Sequence, residues 1–314
     1  MTNLEANPTA HTGRAADCHG PEVTVIEPRT VPLGGVRAIP VRRTLPHRNL
    51  SLIGAWCFLD QFSSTEPMTV LPHPHTGLQT VTWPISGEIR HRDSLGNDVR
   101  VRPGELNLMT AGWGVSHSEF SQPDLSGVQL WLALPTGPDS GEALFEQVRD
   151  LPVVTGPDWE FTVFIGDLAG ASSPATVFSP LVGADGRLGP NAQVTLPLNP
   201  EFEHGILVFD GDLPPHGEGN LIYLGLNRES FTFTAGANGA RVILIGGEPF
   251  TEPVVMFWNF IGRSHDDVAK AADSWARERA SRFGVVPGHG SDHIPGPAIP
   301  PVRLRPRRSP HVKE

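Results

Sequence analysis

The sequence predicts an all-β protein made of two similar β-barrel modules in tandem, followed by one helix. The first observation is compositional: the 314 residues include 34 glycines and 32 prolines, whereas an average chain of this length has roughly 38 of the two together. Both residues interrupt helices and favour turns. The second observation is a recurring pattern of short β-branched or apolar runs separated by Gly, Pro, Asn or Asp, which is typical of strands joined by turns.

The strand pattern divides into two stretches with the same order of features. We expect one module over residues 23–153 and a second over residues 154–286, the latter including the helix. The segment Ile85–Ile89 resembles Phe209–Leu213, because each closes an apolar run with Gly and continues into further strands. Self-similarity of this kind indicates a duplicated unit. Within the first module, Ser94–Asn97 is a predicted hairpin turn between two strands.

One helix is well defined by the sequence. Ser264 is a suitable N-cap and Asp267 stands three residues later, which is a variant of the capping box. Apolar residues then follow at helical spacing, and Gly284 provides a stop. These apolar residues are Val268, Ala271, Ala272, Trp275 and Phe283. We expect this stripe to pack against a barrel.

Composition also narrows the functional class. Residues 1–22 have no periodicity and are predicted to be a disordered leader without the features of a signal peptide. Residues 287–314 are predicted to be a disordered tail rich in Pro and Arg. With a net charge of −10, two cysteines and apolar runs of about eight residues at most, the chain is expected to be a cytoplasmic monomer without nucleic-acid or membrane partners.

Two pairs of metal-binding residue types stand out in the first module. His73 and His75 precede one predicted strand, and His117 and Glu119 occur about forty residues later. Residues i and i+2 of an extended segment face the same side. A lone His-x-His is more often exposed to solvent or hydrogen-bonded, but two such pairs in neighbouring strands favour a metal site. Nitrogen and oxygen donors suit a divalent first-row metal, with Fe(II) favoured and Mn, Ni, Cu or Zn as alternatives.

The second module does not repeat this pattern. When Gly87 is aligned with Gly211, the positions of the four candidate ligands fall on residues that form no plausible ligand set. These residues are Pro197, Asn199, Arg241 and Ile243. We therefore predict one metal site per chain, in the first module.

Several motifs together resemble the pirin family of the cupin superfamily. The segments that carry the resemblance are His73–Gly77, His91–Asn97, Met109–Glu119, Leu45–Pro46, Phe58–Asp60 and Gly246–Val255. They occur in the family's order and span roughly residues 23–284. The resemblance implies two cupin-type jelly-roll barrels, of which the N-terminal one holds a single metal, usually iron, through three His and one Glu. Those ligands correspond to His73, His75, His117 and Glu119.

The chain departs from the family pattern at a few positions beside this motif. The general cupin motif places a ligand Glu at Gln79, so Glu119 must supply the carboxylate. The usual Asp-His pair upstream is Asp60-Gln61, and Thr76 and Leu78 replace the Arg and Phe that usually follow the His pair. These changes leave the predicted ligands intact and alter their surroundings.

The resemblance implies two different functions. Some pirins resemble quercetin 2,3-dioxygenases, which open a flavonol ring with O₂; Glu119 would then be both a ligand and the general base for a flavonoid-like substrate. Five aromatic residues could line a flavonoid cleft or fill the core: Trp56, Phe58, Trp83, Trp113 and Trp131. Other pirins are thought to be non-enzymatic, iron-dependent regulators of a metabolic enzyme or transcription factor. A structural metal closed by four ligands, which suits zinc, is a third alternative.

Overall fold

The computed structural model describes residues 23–33, 39–137 and 141–306. Most of the first half of this chain forms one set of strands: β2 Arg29–Leu33, β3 Ile39–Leu45, β4 Trp56–Ser64, β5 Thr69–His75, β6 Leu78–Ser86, β7 Ile89–Asp93, β8 Asp98–Val101, β9 Leu106–Thr110, β10 Val115–Ser121, β11 Leu125–Ala133 and β12 Leu144–Val148. A second set follows: β13 Val153–Gly156, β14 Trp159–Leu168, β15 Ala171–Ser172, β16 Leu181–Leu188, β17 Gln193–Pro197, β18 Glu203–Gly211, β19 Leu221–Gly225, β20 Ser230–Thr234 and β21 Ala240–Gly247. The remaining elements are β1 Thr24–Ile26, β22 Val255–Phe257, β23 Phe260–Gly262 and the helix α1 His265–Phe283.

The two modules share one topology, which confirms the predicted duplication. Each has a large sheet with a path of seven strands, in the order β12-β9-β6-β11-β4-β3-β2 in the first module and β1-β19-β18-β21-β16-β14-β13 in the second. A smaller sheet accompanies each, β5-β10-β7-β8 and β17-β20 respectively. In these orders β18 occupies the place of β6, and each strand leads to a left-handed glycine, Gly87 with φ 76° and Gly211 with φ 74°. A left-handed φ favours Gly because it has no Cβ.

Strand β6 shows how the sequence builds both the core and the site. Its side chains alternate between two faces. Val81 and Trp83 belong to an apolar core that includes residues of both modules, and the Trp83 ring stacks on Phe164 with centroids 5.0 Å apart. Thr82, on the opposite face, reaches Glu119 inside the first barrel. The large sheets therefore pack against each other, and their other faces form the barrel interiors.

Segments from the two ends of the described chain pack against the module to which the sequence did not assign them. The predicted boundary between residues 153 and 154 therefore does not separate the two modules completely. Strand β1 pairs with β19 of the second module. After β21 the chain returns to the first module, where Ile261 donates a backbone hydrogen bond to Thr76. Strand β23 and the helix then contact β5, the helix also contacts β10, and β22 pairs with β23. Sequence periodicity cannot reveal such exchange because it depends on pairing between distant segments.

The helix begins and ends as predicted. Ser264 is the N-cap, and Asp267 completes the capping box. Val268, Ala271 and Trp275 are buried against the first module, and Gly284 follows the last turn with φ 69°. Among the described residues, no helix is both long and apolar enough to cross a membrane.

The C-terminal segment differs from the predicted disordered tail over residues 287–306. Ile294 and Leu304 are each only 7% exposed. The Ile294 carbonyl accepts a hydrogen bond from Trp275 Nε1 at 2.9 Å, and the Ile294 amide donates to Pro72 at 2.8 Å. Two apolar anchors among the prolines thus hold this segment to the helix and β5. The predicted leader, residues 1–22, and residues 307–314 of the tail lie outside the described residues.

Replacing one anchor should measurably weaken the fold. We expect Ile294→Ala to lower the free energy of unfolding by about 2 kcal/mol, because it removes buried methyl groups and leaves a cavity. Val302→Ala is the matched control, since Val302 lies in the same segment but is 61% exposed. Urea denaturation of both variants measures the difference. Equal effects of the two substitutions would show that the segment does not contribute through burial of Ile294.

Candidate metal centre

The smaller sheet of the first module brings the predicted ligands together. His73 and His75 lie on β5, and His117 and Glu119 lie on the adjacent strand β10. His117 stands opposite His73, whereas Glu119 stands opposite Val70, because β5 has one extra residue between these two pairs. On its other side β10 pairs with β7, where Glu119 stands opposite His91. All five side chains point into the barrel and are at most 2% exposed.

The ligand atoms form two overlapping groups that share His117. His73, His75 and His117 form one group, in which all ligand atoms lie within 4.8 Å of one another. His91, His117 and Glu119 form the other, within the same limit. The three predicted histidines are therefore clustered, and Glu119 adjoins the cluster through His117. Both groups found among the described residues lie in the first module.

The nitrogen positions fit a first-row metal. His75 Nε2 and His117 Nε2 are 3.1 Å apart, which is the separation of two nitrogens bound about 2.1 Å from one ion at roughly a right angle. His73 Nδ1 lies 2.9 Å from the Leu71 carbonyl, so this nitrogen carries the proton and Nε2 keeps its lone pair. His73 Nε2 is buried and has no hydrogen-bond partner. An unpartnered base beside two facing nitrogens is the arrangement that a metal would complete.

The site also keeps its histidines in the form that binds metals. Burial lowers the pKa of His73, His75 and His117 well below the usual value, and the neighbouring histidines lower it further. A buried charge without a counter-charge is unfavourable, so the neutral imidazole dominates. Neutral imidazole is the form that ligates a metal. No proton therefore has to leave these rings at neutral pH before a metal binds.

His91 and Asp93 fix the orientation of His117. Asp93 Oδ2 lies 3.1 Å from His91 Nε2, and His91 Nδ1 lies 3.3 Å from His117 Nδ1. Since a carboxylate only accepts, Nε2 of His91 carries the proton, and Nδ1 of His91 can accept from Nδ1–H of His117. That leaves the lone pair of His117 on Nε2, directed at His75. Burial would raise the pKa of Asp93, but hydrogen bonds from His91 and Asn97 outweigh it and lower the pKa, so the carboxylate stays ionised.

Sequence reasoning assigned no role to His91 or Asp93. Both belong to the segment His91–Asn97 that carried the family resemblance, and they stand at the same i, i+2 spacing as His73 and His75. Their spacing therefore indicated a shared face. The missing information was that β7 pairs with β10, which places this face beside His117.

Replacing the Asp93 carboxylate, which is linked through His91 to His117, should weaken metal binding without removing a ligand. We expect Asp93→Asn to lower the affinity for a divalent metal by about 10- to 100-fold, the usual effect of losing a partner behind a ligating histidine. Competition with a chromophoric chelator measures this affinity. Asp98→Asn is the control, because Asp98 lies across the turn of the same hairpin and its side chain is on the protein surface. Unchanged metal affinity in Asp93→Asn would mean that the hydrogen bonds from Asp93 through His91 do not orient His117.

A row of polar side chains on the large sheet faces the ligands. Thr82 Oγ1 lies 3.3 Å from Glu119 Oε1 and 3.0 Å from Gln129 Oε1. Gln129 and Asn107 are the cross-strand partners of Thr82 on β11 and β9. Gln129 in turn stands opposite Asp60 of β4, which forms a buried ion pair with Arg43. Polar residues thus cross the interior of a barrel whose other contacts are largely apolar.

Several atoms of this region have unmet hydrogen-bonding capacity. Gln129 Nε2, Asn107 Nδ2, Asn107 Oδ1 and Trp131 Nε1 are buried and have no partner. The Trp131 ring lies 5.3 Å from the His75 ring, edge to face. Buried polar groups in native proteins are normally paired. We call this group of residues, next to the candidate ligands, the chamber, because water or a polar ligand would satisfy its unmet hydrogen bonds.

The five candidate aromatic residues have different places in the structure. Trp56, Phe58, Trp83 and Trp131 are at most 1% exposed and belong to the core, whereas Trp113 is 76% exposed. Phe58 and Trp131 stack at 3.9 Å, so this pair forms part of the chamber wall beside His75. Phe145 of β12 stacks on His91 with centroids 4.7 Å apart. Phe145 is half-buried, so it covers one face of the His91 ring.

Gln79 makes its contacts away from the candidate ligands. It is on the face of β6 opposite to Thr82 and donates hydrogen bonds to Thr110 Oγ1 and to the Thr176 carbonyl, both at 3.0 Å. Gln61 likewise donates to the Phe209 carbonyl at 2.8 Å. Gln79 and Gln61, both of which depart from the family pattern, therefore each donate a hydrogen bond to the second module.

Comparison with known proteins gives a consistent result. The family model described as pirin matches residues 38–132, and the model described as pirin C-terminal cupin domain matches residues 183–283. The chain is 41% identical to the Pseudomonas aeruginosa protein named "Putative quercetin 2,3-dioxygenase", covering 87% of this chain and 89% of that protein. It is 32% identical to a pirin-like protein of Caulobacter vibrioides, over 82% and 94% of the two chains. A crystal structure of quercetin 2,3-dioxygenase from Acinetobacter baumannii is 37% identical and covers 92% of this chain and 98% of its own, with a TM-score of 0.84.

Proposed function

The chain belongs to the pirin family of bicupins, and on this premise we propose that its N-terminal module is a metal-dependent quercetin 2,3-dioxygenase. His73, His75, His117 and Glu119 hold one divalent metal, with Fe(II) favoured. The observation that carries the enzymatic assignment is the unsatisfied polar row beside these residues. A purely structural metal has no need of such a chamber, whereas a substrate with several hydroxyl groups would satisfy it.

The chamber offers what a flavonol requires. Phe58 and Trp131 form a flat apolar wall, while Asn107 and Gln129 offer an unused donor each and Asn107 also an unused acceptor. Apolar walls with a few placed polar groups are characteristic of small-molecule sites. When bound, the metal supplies a Lewis acid for the substrate hydroxyl and the means of activating O₂.

Glu119 has the position of the general base. Its side chain is fully buried beside His117 and His91, and Thr82 lies within hydrogen-bonding distance of Oε1. Thr82 holds the carboxylate in place, and the Glu119 carboxylate takes the proton from the substrate hydroxyl. This transfer requires the substrate hydroxyl within about 3 Å of Glu119.

The test is a turnover assay under defined metal loading. The protein is reconstituted anaerobically with Fe(II), and quercetin loss and O₂ uptake are followed together after O₂ is admitted. Stoichiometric consumption of both, and its loss in Glu119→Gln, support the proposal. Metal bound at one equivalent without consumption of any flavonol would contradict the enzymatic assignment and leave the metal site intact.

Gln129 is expected to strengthen substrate binding through a hydrogen bond. We expect Gln129→Leu to raise the KM for quercetin by about tenfold, because the substitution removes one hydrogen bond to the substrate. Metal content should stay at one equivalent, because Gln129 is separated from the ligands by Thr82. Steady-state kinetics and metal analysis of the same preparation measure both quantities. An unchanged KM would show that Gln129 does not contact the substrate.

Full burial of the ligands favours one alternative, a non-enzymatic iron-dependent regulator of a metabolic enzyme or transcription factor. All four candidate ligands are 0% exposed, so a substrate could enter only if a covering group such as Phe145 moved. In a regulator the metal would remain enclosed and affect the surface through the surrounding strands. The turnover assay separates the two functions, since only the enzyme consumes flavonol.

A further inference from the structure

The second barrel contains a cavity at its mouth. It lies between the turn after β14, the end of β17 and the start of β18, with a volume of about 280 Å³. Leu168, Val182, Leu198 and Phe202 provide an apolar wall, His204 lies among them, and the exposed Asp167 and Asn199 are at the rim. All these residues are separate from the candidate metal centre.

The cavity occupies the part of the second barrel that corresponds to the metal centre of the first. Strand β18 has the place of β6 in its sheet, and β17 pairs with β20 as β5 pairs with β10. The inward-facing residues of this strand pair are apolar, among them Leu196 and Phe233. Pro197 and Asn199, which the constant sequence offset aligns with His73 and His75, are instead exposed. At this place the second module therefore has a cavity lined largely by apolar residues, where the first module has the cluster of histidines.

His204 is the polar group within this apolar wall. Its side chain is 2% exposed, and Nδ1 is buried without a hydrogen-bond partner. Burial lowers the pKa of His204 to about 4, although the adjacent Phe202 backbone raises it in part. The ring is thus neutral at pH 7, with one N–H donor and one lone pair. A buried imidazole with unmet capacity on the wall of a cavity is an unfavourable arrangement unless a ligand or water completes it.

We propose that this cavity binds a small neutral phenol, whose ring fills the apolar part and whose hydroxyl hydrogen-bonds His204. The size is suitable, because an apolar cavity of about 150 Å³ already accommodates benzene and this one is larger. The neutral hydroxyl is favoured over a carboxylate because Asp167 at the rim would repel an anion. A metal is not expected here, because the cavity wall offers it only one imidazole, that of His204. Water or a phenol needs only a single hydrogen-bond partner.

The first test is an NMR titration of the full-length protein with selectively ¹⁵N-labelled histidine. Phenol should produce a saturable shift of the His204 ring nitrogens, and benzoate should bind about tenfold more weakly or not at all. Because these variants lack the observed ring, phenol binding to them is measured by calorimetry: His204→Phe should abolish binding, whereas His204→Gln should retain part of the affinity. His216→Gln is the matched control, because His216 is in the same module but does not line the cavity.

The second test locates the ligand and does not depend on any variant. Crystals of the wild-type protein soaked with 4-bromophenol should give an anomalous bromine peak within the cavity, with the hydroxyl at hydrogen-bonding distance from His204. A cavity that contains only ordered water, or a titration in which phenol does not shift the His204 nitrogens, would overturn the proposal. Equal binding of benzoate would overturn the preference for a neutral ligand. None of these outcomes depends on turnover at the metal centre.

Discussion

His117→Ala is expected to reduce bound metal from one equivalent per chain to near zero, and with it any flavonol turnover. His117 is the residue shared by both groups of candidate ligands, and its two ring nitrogens face His75 and His91. Loss of a partner behind a ligand costs about 10- to 100-fold in affinity, so loss of this ligand should cost more than ~100-fold. Metal analysis after anaerobic Fe(II) loading and desalting measures the change.

The control for this experiment is His216→Ala, which removes a half-buried histidine from the second module. It should leave the metal content at one equivalent. Circular dichroism verifies that both variants keep their β-sheet structure, so that metal loss is separated from unfolding. Full metal content in a folded His117→Ala variant would remove His117 from the ligand set.

Asp60→Ala is expected to be the most destabilising single substitution considered, with a loss of about 3–5 kcal/mol in the free energy of unfolding. Asp60 accepts two hydrogen bonds from Arg43, both at 2.7 Å. The side chains of Arg43 and Asp60 are 1% and 0% exposed, respectively. Removing the carboxylate leaves a guanidinium inside the barrel without its counter-charge. Chemical denaturation of the metal-free protein measures the effect without a contribution from metal binding.

A surface pair with the same geometry provides the comparison. Asp98 also accepts two hydrogen bonds at 2.7 Å, from Arg90, but both side chains are largely exposed. Water solvates the arginine after Asp98→Ala, so this variant should change stability little. A double substitution of Arg43 and Asp60 by leucine should be less harmful than Asp60→Ala alone, since it leaves no buried charge. Similar losses in Asp60→Ala and Asp98→Ala would contradict the role assigned to burial.

The sequence allowed prediction of features that depend on local spacing. Alternation in the strands, the capping box at Ser264 and the i, i+2 pairs at His73 and His117 each depend on residues a few positions apart. Local geometry fixes these relations. The two modules, the helix and the clustering of the three histidines were predictable for this reason.

Features that depend on pairing between distant strands were not predictable in this way. The link from Asp93 through His91 to His117 exists because β7 pairs with β10. The constant offset between the modules fails because the smaller sheet has four strands in the first module and, among the described residues, two in the second. Residues 287–306 were predicted to be disordered because the tail is rich in Pro and Arg, yet two anchors, Ile294 and Leu304, are buried against other segments.

The central claim is that one metal binds in the N-terminal barrel, and anomalous diffraction tests it most directly. Crystals of the Fe(II)-loaded protein are measured at the iron absorption edge. We predict a single strong peak per chain, enclosed by His73, His75, His117 and Glu119. A peak elsewhere, or loaded protein with no peak between these side chains, would contradict the claim.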